Sequence, residues 1–223
     1  MRRLYIICEG QTEEQFVREL LARHLATRGI WVTAPILGRP GHKGGTVTWR
    51  RLADDLRRLL LHDTGAVATT FIDFYGISGD FPGVAAAKMK NGAAARAQAV
   101  QTAMATQAAE QLGIGPDRLM PYVQMHEFEG LLFSDPDACA NGIGKSALAD
   151  QIRAIARQFA SPEDINDHPQ TAPSKRIAAL MPGYDKPFHG VLAALDIKLP
   201  RMRQACGLFH AWVTRLESLG AGT

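Results

Sequence analysis

Three short apolar runs, each closing on acidic residues, constrain this chain more than any other feature. Leu4-Tyr5-Ile6-Ile7-Cys8 is followed by Glu9, residues 66–72 run into Asp73, and residues 120–125 end at His126-Glu127-Phe128-Glu129. Continuous apolar runs of this length, rich in β-formers, suit strands buried on both faces of a parallel sheet. Residues 31–37 read as another strand. Helical patterns lie between the runs. Phe16, Val17, Leu20, Leu21 and Leu25 recur at helical spacing after Thr12, which stands three before Gln15 as in a capping box, and Gly29 ends the element. Residues 48–62 carry Leu52, Leu56, Leu59 and Leu60 on one side, residues 93–112 form an alanine-rich helix, and residues 148–159 form another. Residues 76–92, rich in Gly and Pro, read as a loop.

Strands alternating with helices from 4 to 133 predict an α/β fold: a mostly parallel sheet flanked by helices. From Ser161 the texture changes to short helices and prolines. Ser174 is expected to cap a helix over 175–181. Residues 201–219 are expected to close the chain as one helix, with Phe209, Trp212, Val213 and Leu216 inward. The expected organisation is an α/β domain over residues 1–160 and a small helical C-terminal extension over 161–223.

Composition excludes several classes. Hydrophobic residues are 46% and charged residues 21% of 223, which argues against wholesale disorder and allows a core without staples. Cys8, Cys139 and Cys206 form no CxxC and fit no disulfide framework or zinc knuckle, which suggests a reducing compartment. The apolar run after Arg2-Arg3 is too short for a signal-peptide core, and no run of about 18 apolar residues exists to span a membrane. A cytoplasmic protein with no membrane partner is expected.

The net charge of +3 hides a division. Residues 1–60 hold 11 basic and 6 acidic side chains (+5), residues 61–170 hold 7 and 13 (−6), and residues 171–223 hold 7 and 3 (+4). The acidic middle contains most of the strand-end acids. In open α/β sheets ligands bind outside the carboxyl ends of the strands. Glu9, Asp73, Glu127 and Glu129 are therefore candidates for one catalytic crevice. Carboxylates brought together repel unless a cation neutralises them, and hard oxygen ligands suit Mg²⁺ or Mn²⁺. Such an ion polarises a phosphate and lowers the pKa of water. Glu9, Asp73, Asp80 and Glu127 are the candidate metal ligands, with Asp80, Glu127 and Glu129 as alternatives for completing the site. His126 reads either as a ligand or general base, or as a hydrogen-bonding structural residue. Glu13 and Glu14 are assigned to dipole complementarity in the first helical turn.

Basic residues supply candidate nucleic-acid contacts. Arg39, His42, Lys43, Arg50 and Arg51 cluster around the glycine loop 39–45, and Lys175, Arg176 and Lys186 form a second group; both suit a phosphate backbone. Aromatics are only 7%, so no base-stacking platform is indicated. Gly144-Lys145-Ser146 resembles the end of a P-loop, but its first glycine would fall at Cys139.

Strand-Glu9-Gly10-Gln11-Thr12-Glu13 with strand-Asp73-Phe74-Tyr75 resembles the Toprim fold of topoisomerases, primases and overcoming-lysogenization-defect nucleases. There, a glutamate after the first strand and an Asp-x-Asp after a later one bind Mg²⁺ for phosphoryl transfer. Tyr75 stands where the second aspartate would be. A closer resemblance rests on Cys-Glu-Gly-Gln-Thr-Glu (8–13), Asp-Phe-Tyr-Gly (73–76), His-Glu-Phe-Glu-Gly-Leu-Leu-Phe (126–133), Ala-Pro-Ser-Lys-Arg (172–176), and Tyr184 with Lys186. These look like the bacterial domain-of-unknown-function family 4276, a Toprim-like family often encoded beside ABC- or AAA-type ATPases in settings linked to phage defence. The resemblance implies a Mg²⁺-dependent nuclease of DNA or RNA, acting with such an ATPase and able to form a homodimer. The rival expectation is a non-catalytic regulatory subunit that keeps a degenerate Toprim pocket and docks on the ATPase.

Overall fold

The computed structural model describes residues 1–38, 45–166, 168 and 170–220. The first apolar run forms strand β1 (Arg2–Cys8), followed by helix α1 (Gln11–Phe16), a π-helical segment (Val17–Leu21), α2 (Ala22–Ala26) and strand β2 (Ile30–Thr33). Next come α3 (Trp49–His62), β3 (Val67–Asp73), α4 (Val84–Lys88) and α5 (Ala93–Leu112). Strands β4 (Leu119–Met120) and β5 (Val123–Gln124) lead into a 3₁₀ segment, Phe128–Ser134. Helices α6 (Pro136–Gly142), α7 (Ala149–Ala156), α8 (Pro173–Leu180), α9 (Val191–Ala205) and α10 (Gly207–Ser218) complete the chain.

The sheet is parallel throughout, in the order β2-β1-β3-β4, with β5 also paired to β3. The mostly parallel α/β architecture with C-terminal helices is thus the one the alternation predicts. Side-chain alternation divides the interior into two layers. Leu4, Ile6, Cys8, Val67 and Phe71 pack on one face with Phe16, Leu21 and the C-terminal residues Phe209, Trp212 and Leu216. Ile7, Ala68 and Ile72 pack on the other with Leu52 and Leu56 of α3 and Val100 and Met104 of α5.

Several boundaries differ from expectation, each for a local reason. The run 120–125 is two short strands because Pro121 has no N–H for the ladder. Buried threonines of β3 take over there: Thr69 Oγ1 donates to the Met120 carbonyl (2.6 Å), and Thr70 Oγ1 donates to the Tyr122 carbonyl (2.6 Å) and accepts from its N–H (3.0 Å). Pro35 likewise interrupts 31–37, although its carbonyl still accepts from Cys8 N–H (2.9 Å). Within 76–92 the chain forms α4 rather than loop alone. Ala172, not Ser174, is the N-cap of α8, and Pro173 occupies its first turn, where a missing N–H costs nothing. The closing helix is broken in two at Cys206, and α9 contains its own kink at Lys198, just before Pro200.

The α9–α10 break is held by Glu163. Its buried carboxylate accepts from the N–H groups of Leu208 and Phe209, both at 2.9 Å, at the start of α10. Helix N-termini leave such amides without intrahelical partners, and a carboxylate also complements the positive end of the dipole. Glu163→Ala is expected to destabilise the protein by about 2 kcal/mol in urea denaturation, since one buried and one partly buried amide lose their acceptor. A change below about 0.5 kcal/mol would mean the amides find other partners.

Candidate active site

The sheet's topology brings the acids together. Strand order reverses between β1 and β3, the place where open α/β sheets leave a crevice at their carboxyl edge. The register pairs Cys8 with Phe71, so Glu9 and Asp73 emerge side by side. Glu9 N–H donates to the Phe71 carbonyl (3.2 Å), and Asp73 N–H donates to Glu9 Oε2 (2.9 Å). The Glu9 carboxylate also lies against Gly76. A Cβ built there would fall 2.3 Å from Glu9 Oε1, so a residue without a side chain is needed for this approach.

Further acids enter from both sides. Glu13 is buried, and its Oε2 accepts from Gly10 N–H (2.9 Å), so Gly10 rather than Thr12 begins the cap and Glu13 belongs to the cluster as well as to the helix start. Glu127 and Glu129 follow β5 and are buried. Glu127 Oε2 accepts from Ser174 N–H at the start of α8 (2.8 Å). Glu129 is the most enclosed of the acids, at 0% exposure, with the Tyr184 hydroxyl 3.5 Å from its Oε1.

Lys186 is the cation among them. Its Nζ lies 3.3 Å from Asp73 Oδ2 and 2.8 Å from Glu129 Oε2. Sequence reasoning placed Lys186 with Lys175 and Arg176 on a phosphate-binding surface; the structure places it inside the acid cluster. Burial works to lower its pKa, but Asp73, Glu129 and Glu13 outweigh that and raise it, so the ammonium stays charged. Asp73 Oδ1 is buried with no hydrogen-bond partner, and Glu129 Oε2 is paired with the ammonium by charge without an aligned hydrogen bond.

The remaining candidates are dispersed. Arg39, His42 and Lys43 lie outside the described residues. Arg50 and Lys175 are exposed. Arg176 donates to the Thr171 carbonyl (2.7 Å) and stacks on Phe159 at 5.1 Å, so it also braces the fold locally. Asp80 is exposed; the strongest charges acting on Asp73 come instead from Lys186, Glu13, Glu9 and Glu129. The His126 ring packs edge-on against Phe74. The residues that strand-end reasoning missed, Glu13 and Tyr184, were nonetheless within the quoted motifs, and Gly10-x-x-Glu13 has its own capping spacing.

The cluster is electrostatically strained. Burial raises the pKa of Glu9 and Glu129 from 4.5 to about 7, the Asp73 N–H bond opposing this for Glu9 and Lys186 opposing it for Glu129. Asp73 is pushed well up, first by burial and then by Glu13, Glu9 and Glu129 against the pull of Lys186. Among the described residues, no group of three or more His, Cys, Asp or Glu side chains already forms a metal-holding arrangement. The donor chemistry still fits a hard divalent ion: Asp73 presents a buried oxygen without a partner beside Glu9, in a site short of positive charge.

An α/β protein with an acidic strand-end centre is the class that fold and site define. The chain belongs to the family described as Domain of unknown function (DUF4276), whose model matches residues 8–217. No curated protein and no solved structure matches it.

Two predictions test the cluster. A carboxyl whose folded pKa lies above its unfolded one stabilises the fold fully below the unfolded value, and this is lost as pH rises through the folded value. For Glu9 and Glu129 the window runs from 4.5 to about 7. Without divalent ions, stability should fall by on the order of 2 kcal/mol between pH 5 and pH 8 in urea titrations, and Glu9→Gln should flatten part of that slope. A profile identical in the variant would exclude Glu9 as a contributor. Separately, Gly76→Ala should cost about 2 kcal/mol by displacing the Glu9 carboxylate, whereas Gly79→Ala, with nothing within 4 Å, should stay within about 0.5 kcal/mol. Equal effects would show that Glu9 yields without loss.

Proposed function

We propose that this chain is a Toprim-like nuclease dependent on Mg²⁺ or Mn²⁺, hydrolysing phosphodiester bonds of DNA or RNA as the effector subunit of an ATPase-linked anti-phage system. The observation that carries this reading is the buried, unpartnered Asp73 Oδ1 within a cluster of carboxylates at the β1–β3 reversal. Glu9 and Asp73 would hold the ion, with Glu127 and Glu129 as the further acids of the centre. When bound, the ion supplies Lewis-acid activation of the phosphate and lowers the pKa of water.

The chain's own residues do the rest. The Asp73 N–H fixes the Glu9 carboxylate, and Ser174 N–H fixes Glu127. Lys186, kept charged by its neighbours and partly exposed, presents a cation to an incoming phosphate. Arg50 and Lys175, with Arg39, His42 and Lys43 of the glycine loop, are the proposed backbone contacts. Such contacts bind through phosphate charge and weaken as salt rises.

The test is cleavage of DNA and RNA in the presence of the partner ATPase and Mg²⁺ or Mn²⁺. Glu9→Ala and Asp73→Ala should each lower the rate by about a hundredfold or more, and exposed Lys145→Ala should leave it unchanged. Robust cleavage by both acid variants would sink the assignment. A second reading, a non-catalytic subunit docking on the ATPase, draws on Tyr75 in place of a second aspartate and on Lys186 lying between Asp73 and Glu129. It predicts binding to the ATPase with no cleavage under any divalent ion.

A further inference from the structure

We infer that the centre takes one divalent ion and that Lys186 is its built-in second cation. This rests on the metal-dependent reading above and sharpens it. Two-metal phosphoryl-transfer sites place their ions about 3.5–4 Å apart, typically with a carboxylate shared between them. Asp73, at the end of β3, is the residue placed to share. One of its oxygens is already committed: Oδ2 lies 3.3 Å from Lys186 Nζ, and the same ammonium lies 2.8 Å from Glu129 Oε2. Of its two oxygens only Oδ1 lacks a partner, and the Asp73 side chain is 6% exposed, so this is a buried acceptor left unsatisfied.

The lysine is held where it is. It begins the π-helical segment Lys186–Gly190. That segment is closed by Asp185, whose Oδ1 accepts from Phe188 N–H (2.8 Å) and whose own N–H donates to His189 Nδ1 (2.9 Å). Tyr184, two residues earlier, reaches Glu129 from the same side. The acids are disposed accordingly. Glu9, Glu13 and Glu127 each accept one backbone amide, from Asp73, Gly10 and Ser174, and Glu129 faces Lys186. Asp73 Oδ1, beside Glu9, is the unpartnered oxygen left for an ion.

The experiment is Mn²⁺ binding to the intact chain by calorimetry and electron paramagnetic resonance, with no nucleic acid present. The wild type should bind one ion per chain. Lys186→Met, which leaves Asp73 Oδ2 and Glu129 uncompensated, should bind a second ion or bind the first about tenfold more tightly. Lys186→Arg, which keeps the charge, should behave as the wild type, and Asp73→Asn should lose the ion. Circular dichroism and urea midpoints report whether each variant is folded; if Lys186→Met is not, Lys186→Gln at pH 6 takes its place. Two ions of similar affinity in the wild type, or unaltered Mn²⁺ binding once Lys186 is neutralised, would overturn this inference while leaving the metal-dependent nuclease standing. No Mn²⁺ binding by the wild type or any variant at millimolar ion would overturn both.

Discussion

Repulsion among buried carboxylates is the constraint around which this structure is arranged. Removing a charge from water is unfavourable, and placing others beside it adds to the cost. Five acids, Glu9, Glu13, Asp73, Glu127 and Glu129, nevertheless share one end of the sheet. Each is answered differently. Glu9, Glu13 and Glu127 accept backbone amides, whose donors come from β3, the start of α1 and the start of α8. Glu129 and one oxygen of Asp73 share Lys186. The other oxygen of Asp73 is answered by nothing in the chain. A fold gains no stability from such an arrangement, which is why it reads as a site: strain of this kind persists where the surrounding structure over-determines it.

The surroundings do over-determine it. The β1–β3 register fixes Glu9 beside Asp73 to within one residue, and a slip would turn both side chains over. Because β3 is buried along its whole length, its threonines cannot bond to water. They bond instead to Met120 at the end of β4 and to Tyr122 in the break before β5, and Thr69 also accepts from Trp212 Nε1 at 2.9 Å. Trp212 stacks on Tyr122 at 4.3 Å between ring centroids and lies near Phe71. The C-terminal helices thus clamp the strand that ends in Asp73 and also deliver Lys186 to it. The sequence distance from Asp73 to Lys186, 113 residues, is closed by this packing.

What the sequence made legible follows from how local each determinant is. The buried strands, α3 and α5 are written in short-range periodicity, and the strand-end acids follow from topology once a parallel sheet is granted. The breaks came from proline chemistry that a pattern of apolar residues passes over: Pro121 split one strand, Pro35 shortened another, and Pro200 stands beside the kink in α9. The contacts of Lys186 were illegible for a different reason. A lysine in a proline-rich segment reads as solvated, and nothing within ten residues announces that its ammonium will face two carboxylates. Only the motif that carries Tyr184 with Lys186 marked the position, and a motif names residues without saying what they touch. Gly76 was similarly mute, since its role depends on the Glu9 carboxylate approaching from another strand.

The uneven charge along the chain takes a physical meaning from this geometry. The −6 middle segment supplies Asp73, Glu127 and Glu129, while the basic first segment contributes the acids Glu9 and Glu13 and the basic last segment contributes Lys186. Each flank therefore places residues of its minority sign, or a single lysine, at the centre and leaves most of its positive charge elsewhere. A cluster of acids alone would repel a polyanion. With part of its charge neutralised by Lys186, the same cluster repels a polyanion less. The proposed chemistry thus depends on Lys186 remaining charged, which the acids around it ensure.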